Sequence, residues 1–193
     1  MNLVAAQEGI SMTMAIPYWR IKSLLANKRY AVESLEDNPA DPATEITDED
    51  RGELERLVKG PGIRAVGYAL MPPEPAFRDV GVLYRYAIVP AMEMDRERIE
   101  MAPSPKTAKM IMEMYDALGI ATNRIADSLR PRGHGAQASH PFGGLVLCPP
   151  LVQSVGLGWV GRHGLLITPQ SGPRVRLAAV FTSIENLPLP ERN

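Results

Sequence analysis

The chain has 193 residues, of which 45% are apolar, and its formal net charge is -1. A chain of this length can bury enough apolar surface for one globular domain. Its single cysteine, Cys148, excludes an intramolecular disulfide, and also a zinc finger or an iron–sulfur cluster held by this stretch alone. The charge gives no signal for nucleic acid, and no apolar run approaches the ~20 residues of a membrane helix. Because the N-terminus also lacks a signal-peptide pattern, we expect a cytoplasmic protein that does not bind a membrane.

The N-terminal third of the chain is predicted to be helical, with an acidic linker. A helix is predicted over residues 11–28, and residues 36–55 follow with nine acidic residues and one basic residue. The first half of that segment is expected to be solvated, and a second helix is predicted over residues 48–59 with Thr47 as N-cap. The expected apolar face of the first helix consists of Ile16, Trp19, Ile21, Leu24 and Leu25.

The rest of the chain combines strand patterns with one strong helix pattern. That helix begins after the N-cap Ser104 and ends before Pro131, and its apolar face includes Tyr115. A short helix is predicted over residues 150–155. Clusters of β-branched and aromatic residues between breaks predict strands over residues 63–70, 80–90, 137–140, 165–168 and 175–182. This mixture predicts an α/β protein.

The charge distribution is uneven in the C-terminal third, where residues 128–184 contain no Asp or Glu over 57 positions. A bound anion would supply the missing counter-charge, because arginine presents a planar fork of donors to phosphate or carboxylate groups. The alternative is that these arginines pair across the fold with the acidic residues of 36–55. The arginines concerned are Arg130, Arg132, Arg162, Arg174 and Arg176.

A glycine-rich motif lies inside this acid-free stretch, and residues 156–161 satisfy G-x-G-x-x-G. In a dinucleotide fold such glycines follow a strand and open a helix, whereas here a helical pattern precedes them and a strand follows. The dinucleotide interpretation is therefore disfavoured. Glycines would still let the backbone approach a flat, bulky ligand, and the alternative is a series of tight turns between packed elements.

The run GLGWVGRHGLLITPQSGPRVRLAAVFTSIENLPL, residues 156–189, resembles the segment shared by cobalamin-dependent epoxyqueuosine reductases and reductive dehalogenases. The resemblance implies a nitroreductase-like α/β (α+β) fold, with a mixed sheet flanked by helices, that binds base-off cobalamin with no protein ligand to cobalt. No residue is assigned to a metal. The residues that this resemblance assigns to the cofactor are Gly156, Gly158, Gly161, Arg162, His163, Gly164, Leu165, Ile167, Thr168, Pro169 and Gly172.

The resemblance also implies catalytic residues. Epoxyqueuosine reductases carry an aspartate proton donor shortly before the glycine motif, where this chain has Phe142 and two glycines. Reductive dehalogenases instead use a tyrosine with a nearby basic residue. Tyr115 followed by Arg174 and Arg176 has this order, although Tyr115 also fits a purely structural role on the apolar face of its helix.

The same resemblance predicts the domain organisation and the partners. Residues 1–62 would form an N-terminal helical region with an acidic linker, and residues 63–193 the cobalamin-binding, reductase-like domain. A ferredoxin-like segment with 4Fe–4S clusters would follow, so we expect either a piece of a longer protein or a separate ferredoxin-like electron donor. The expected substrate is a small organic molecule, or a tRNA in the epoxyqueuosine reductase case.

We therefore expect a cobalamin-dependent reductase domain that delivers electrons to an organic substrate. The sequence leaves open which bond is cleaved. Two alternatives from other classes also remain open, namely a non-enzymatic corrinoid carrier or chaperone and a flavin-dependent, nitroreductase-like protein.

Overall fold

The computed structural model describes residues 18–71, 81–145, 151 and 155–190. Its helices are α1 (Tyr18–Glu33), α2 (Asp48–Val58), α3 (Arg96–Glu100) and α4 (Pro105–Leu129), with 3-10 turns at Ser34–Asp37 and Arg130–Arg132. Its strands are β1 (Ile63–Leu70), β2 (Tyr86–Glu93), β3 (Ala136–Ser139), β4 (Trp159–Val160), β5 (Leu166–Ile167), β6 (Val175–Leu177) and β7 (Ala179–Thr182). Within these ranges no helix combines the length and the apolar character needed to cross a bilayer.

The central sheet has five strands in the order β1-β2-β7-β3, and β6 pairs with the other end of β2. The predicted α/β class is confirmed, and all pairings in the described ranges are antiparallel where a mixed sheet was expected. The strand predicted over 175–182 is two strands, because β2 pairs with β7 over its first half and with β6 over its second. Pro90 lies at this change of partner, where a residue without an N–H is tolerated.

Pro90 does not end β2, which was predicted over residues 80–90. The strand begins at Tyr86 and continues to Glu93, while residue 80 lies outside the described residues. The strand predicted over 63–70 matches β1. Successive residues of β2 point to opposite faces of the sheet, so an apolar layer lies on each face.

Helices cover one face of the sheet and the glycine-rich segment covers the other. On the helical face, Ile88 of β2 and Val180 of β7 pack with buried residues of α1, α2 and α4. On the opposite face, Val89 and Phe181 pack with Leu151, Val155 and Leu166. Met92, Met110 and Met114 form a third buried cluster between the sheet and the first turns of α4, so these methionines are core residues.

The prediction for α4 is confirmed, because Ser104 caps the helix by accepting a hydrogen bond from the Thr107 amide at 3.1 Å. The predicted apolar face of α1 is confirmed for Leu24, which is buried, and is wrong for Trp19 and Leu25, which are 60% and 53% exposed. A polar contact between α1 and α4 takes the place of part of that face. The predicted residues 11–17, the predicted helix 150–155 apart from residues 151 and 155, and Cys148 lie outside the described residues.

Candidate active site

The arginines of the acid-free stretch have different surroundings. Three of them are neutralised by carboxylates: Arg130 by Asp127 at 2.7 Å, Arg132 by Asp50 and Glu53, and Arg174 by Glu93 at 3.1 Å. The pairing with the acidic segment is therefore confirmed for Arg132 alone. Arg162 and Arg176 form no ion pair with any described residue.

Tyr115 and Arg176 lie in contact although they are 61 positions apart. The Arg176 Nη1 donates a hydrogen bond to the Tyr115 Oη at 2.5 Å, and the guanidinium carbon lies 4.4 Å from the centroid of the Tyr115 ring. Both side chains are half-buried, and the Arg176 Nε is buried with no hydrogen-bond partner among the described residues. The structure thus brings together the tyrosine and one of the two arginines that the sequence placed at the site.

Phe142 contacts Tyr115, and Lys28 in turn contacts Phe142. The Phe142 ring lies edge-to-face with the Tyr115 ring at a centroid distance of 5.6 Å, and it is 41% exposed. The Lys28 ammonium, carried by α1, lies 5.7 Å from the Phe142 centroid. Two cations therefore flank a pair of aromatic rings, in the order Lys28, Phe142, Tyr115, Arg176.

His140 holds the backbone of Phe142 in place through a hydrogen bond. It is buried, and its Nδ1 accepts a hydrogen bond from the Phe142 amide at 3.1 Å, while its Nε2 has no partner among the described residues. Burial lowers the pKa of His140 below its ordinary value of 6.5. The imidazole thus stays neutral near pH 7, and it fixes the backbone from which Phe142 projects.

The glycine-rich segment forms two tight turns. Strands β4 and β5 make a hairpin in which Trp159 pairs with Ile167, and the Gly161 amide donates to the Leu165 carbonyl at 2.8 Å. Gly158 has φ +154°, and a Cβ there would lie 2.1 Å from the Ile167 carbonyl oxygen. The predicted cofactor residues Arg162, His163, Gly164 and Leu165 form the exposed hairpin tip, whereas Gly172 closes the second turn against Thr168.

A cavity of about 530 Å³ lies between these turns and the sheet. The predicted cofactor residues Gly156, Thr168 and Pro169 line it together with Leu157 and Val175. Its floor is formed by the short side chains Ala65 and Ala91 of β1 and β2. A volume in this range is typical of sites for small molecules and cofactors.

Arg174 is not beside Tyr115, and it contacts Glu93, which lines this cavity. Its guanidinium pairs with Glu93 and donates to the Met94 carbonyl at 3.0 Å. Desolvation of the Glu93 carboxylate is outweighed by hydrogen bonds from Ser171 and Arg174 and by nearby positive charge, so its pKa lies below the ordinary value. This arginine holds β6 against β2.

The cavity and the Tyr115–Arg176 pair lie on opposite faces of β6. Val175 lines the cavity, and Arg176, the next residue of the strand, contacts Tyr115 on the helical face. No described strand pairs with the outer edge of β6. A ligand that contacts both sites would therefore pass this edge.

Comparisons with known proteins agree with the resemblance of residues 156–189. The chain is 32% identical over 136 residues to the tetrachloroethene reductive dehalogenases of Dehalobacter restrictus and Desulfitobacterium hafniense, a match that covers 70% of the chain. It is 31% identical over 107 residues to that of Sulfurospirillum multivorans. The chain belongs to the cobalamin-dependent reductase superfamily.

The fold agrees with this assignment. The catabolic reductive dehalogenase NpRdhA superposes with a TM-score of 0.66 at 18% identity, over 84% of this chain and 26% of that one. A further structure with the same scores is described as suggesting a mechanism for B12-dependent dehalogenation. No protein-family model matches the chain. The chain spans about a quarter of the length of the curated members of the superfamily that it matches.

Two residues of the site were not found by sequence reasoning. Lys28 carries no local signal, because nothing in its helix indicates that it approaches the loop after β3. Phe142 lies where epoxyqueuosine reductases would have their aspartate proton donor. This difference from the family pattern was the one sequence signal that pointed to Phe142.

Proposed function

We propose that this chain is the cobalamin-binding part of a reductive dehalogenase-like oxidoreductase, and that Tyr115 donates the proton in its reaction. The observation that carries the proposal is the hydrogen bond between Tyr115 and Arg176, in a chain 32% identical over 136 residues to tetrachloroethene reductive dehalogenases. Reductive dehalogenation replaces a carbon–halogen bond by a carbon–hydrogen bond. It consumes an electron pair and a proton and releases a halide ion, so it needs a positioned acid.

The direction of the Tyr115 hydrogen bond supports this role. A guanidinium has donors and no acceptor, so the Tyr115 Oη accepts from Arg176 and its own O–H points elsewhere. No described residue accepts that O–H. The proton is therefore available to a substrate atom, and the Arg176 charge would stabilise the phenolate left behind.

The residues around the cavity are compatible with a corrinoid. Gly156 has no side chain and Ala65 and Ala91 have short ones, which leaves room for a broad ligand. Leu157 and Val175 offer apolar contacts for its rim. Gln170 offers hydrogen bonds for its amide side chains, whereas the Thr168 hydroxyl is held within its own turn by Gly172 and Ser171. When bound, cobalamin would supply the reduced cobalt that transfers electrons. Those electrons would come from 4Fe–4S clusters outside these residues.

The Tyr115→Phe variant tests the catalytic assignment. The chain would be loaded with cobalamin, reduced with titanium(III) citrate and supplied with tetrachloroethene, and halide release would be compared with that of cobalamin alone. Loss of a positioned general acid is expected to lower kcat about 10²–10⁴-fold. The control is Tyr30→Phe, which removes a hydroxyl that, within the described part of the chain, donates to Asp127 alone. An undiminished rate in the Tyr115→Phe variant would remove Tyr115 from the mechanism.

Cofactor binding is tested separately with cob(II)alamin under anaerobic conditions. Visible and electron paramagnetic resonance spectra report whether the lower base has left cobalt. A base-off spectrum is expected on addition of the folded chain. Unchanged spectra would contradict the cobalamin assignment, and binding without halide release would favour a corrinoid carrier.

A further inference from the structure

We propose that His140 is a positioning residue for Tyr115, because it holds Phe142 where the Phe142 ring fixes the orientation of the Tyr115 phenol. The inference rests on the proposed function, since it assigns how the proton donor of that reaction is kept in place. It follows from the contacts of the Tyr115 ring and from the hydrogen bonds of the loop that carries Phe142.

Two side chains restrict the Tyr115 ring. The Arg176 guanidinium binds the hydroxyl and lies 4.4 Å from the ring centroid, and the Phe142 ring makes its edge-to-face contact at 5.6 Å. Without Phe142, the phenol could rotate about its side-chain torsions into the space that Phe142 occupies. The contact with Phe142 therefore helps to keep the hydroxyl beside Arg176.

The loop that carries Phe142 is held by two buried side chains at the end of β3. The His140 Nδ1 accepts a hydrogen bond from the Phe142 amide at 3.1 Å, and the Ser139 Oγ accepts one from the Leu145 amide at 3.0 Å. Between these bonds, Gly143 turns the chain with φ +78°. The bond from His140 is the one made to the Phe142 backbone within the described ranges, so it determines how the Phe142 ring projects.

The imidazole is itself fixed against α4. Gly119 leaves the space that the ring occupies, because a Cβ there would lie 2.1 Å from the His140 Nε2. Residues four positions apart share a face of a helix, so the imidazole packs on α4 one turn after Tyr115. One rigid ring thus links the helix that carries Tyr115 to the loop that carries Phe142.

The hydrogen bonds of His140 favour a functional role over a purely structural one. Because Nδ1 accepts, the neutral ring carries its proton on Nε2, and that buried N–H has no acceptor among the described residues. A buried donor without an acceptor destabilises the folded state. An apolar side chain at this position would avoid that loss, but it could not hold the Phe142 amide.

The charges next to Tyr115 make its orientation important. Asp116, the following residue of α4, has a buried carboxylate that accepts hydrogen bonds at 2.9 Å from Ser23 and Asn27 of α1. A negative charge this close opposes the formation of a phenolate at Tyr115, whereas the Arg176 guanidinium favours it. A ring that turned away from Arg176 would lose the favourable contact and keep the unfavourable one.

Nuclear magnetic resonance of a chain labelled with ring-¹³C tyrosine tests the proposal without cobalamin or reductant. The Tyr115 ring signals, assigned by their loss in Tyr115→Phe, are expected to be displaced by the ring current of Phe142. His140→Leu, which fills most of the imidazole space but accepts no hydrogen bond, should move these signals toward those of Phe142→Leu. His140→Asn, whose oxygen can accept the same amide bond, should keep them in place.

His134→Leu is the matched control. His134 is also buried and also makes one backbone contact, from its Nδ1 to the Ala43 carbonyl at 3.2 Å, but it binds the acidic linker and not the loop of Phe142. This variant should leave the Tyr115 signals unchanged. In the halide-release assay, His140→Leu should lower kcat about 10- to 100-fold with little change in KM, and His140→Asn should restore kcat.

Tyr115 signals that stay in place in His140→Leu, or that move equally in His134→Leu, would overturn the proposal. Undiminished kcat in His140→Leu would also overturn it if Tyr115→Phe is inactive. Unmoved signals together with an inactive Tyr115→Phe variant would refute the positioning role and leave the proposed function standing. Full turnover in Tyr115→Phe, with signals that move in His140→Leu, would refute the proposed proton donor and leave the positioning of the ring by His140 standing.

Discussion

Gly119 and Gly52 provide a matched pair of substitutions that tests the packing behind the candidate site. Both glycines lie inside helices, Gly119 in α4 and Gly52 in α2. A Cβ on Gly119 would lie 2.1 Å from the His140 Nε2, whereas a Cβ on Gly52 would meet nothing within 4 Å. The same change to alanine should therefore affect stability in opposite directions.

The magnitudes follow from the contacts. Alanine in a helix interior is favoured over glycine by about 1 kcal/mol, so Gly52→Ala should raise the free energy of unfolding by up to that amount. Gly119→Ala has the same propensity gain, but overpacking a core costs about 1–3 kcal/mol. Displacing the His140 ring also weakens its hydrogen bond from Phe142, which contributes about 1 kcal/mol. The net expectation for Gly119→Ala is a loss of about 2 kcal/mol.

Urea denaturation followed by circular dichroism measures both free energies. A double-mutant cycle with His140→Ala isolates the contact, because Gly119→Ala should no longer destabilise a chain that lacks the imidazole. The reasoning fails if Gly119→Ala is as stable as the unmodified chain. It also fails if the loss persists unchanged in the His140→Ala background.

Two further predictions concern the glycine hairpin and the buried histidine. Gly158→Ala should disrupt the β4–β5 hairpin and weaken cobalamin binding, because the new Cβ would collide with the Ile167 carbonyl; base-off spectra like those of the unmodified chain would contradict this. As pH falls below about 6.5, the unfolded chain gains a proton at His140 before the folded chain does. The free energy of unfolding should therefore fall by up to about 1.4 kcal/mol per pH unit until the lowered pKa of His140 in the folded state is reached. The His140→Asn variant, whose side-chain oxygen can accept the same amide hydrogen bond, should lose this component of the slope. The control is His163→Asn, which replaces an exposed ring that also accepts a hydrogen bond from the amide two residues on. Equal slopes in the His140→Asn variant and the unmodified chain would show that His140 does not titrate as burial requires.

Elements defined by local rules were predictable from the sequence. The α4 helix has a Ser104 cap and an apolar face that repeats at helical spacing, and β1 is a cluster of strand formers between breaks. Both depend on residues close together in the chain. The glycine-rich segment was also recognisable, although two turns account for Gly164 and Gly172 before any ligand is considered.

Features set by distant contacts were not predictable. Leu25 and Trp19 are exposed because α1 meets α4 through hydrogen bonds to Asp116, and no periodicity in α1 reports a partner on another helix. The break between β6 and β7 depends on a change of partner along β2, which a strand pattern cannot show. Arg174 and Arg176 are two positions apart and look equivalent in sequence, yet only Arg174 forms an ion pair with Glu93.

Arg174 and Arg176 have different partners, and these partners determine how β6 of the acid-free stretch lies on the sheet. Glu93 of β2 neutralises Arg174 and thereby fixes the start of β6. Alternation along β6 then directs Val175 to the cavity and Arg176 to Tyr115. A carboxylate close to Arg176 would compete with the tyrosine hydroxyl for its donors. Residues 128–184 contain none, and Glu93 on the neighbouring strand is paired with Arg174, so the guanidinium of Arg176 stays available to Tyr115. The half-buried Leu177 follows Arg176 and points to the cavity face of the sheet. The Leu177→Glu substitution is therefore expected to perturb the cavity more than the contact between Tyr115 and Arg176.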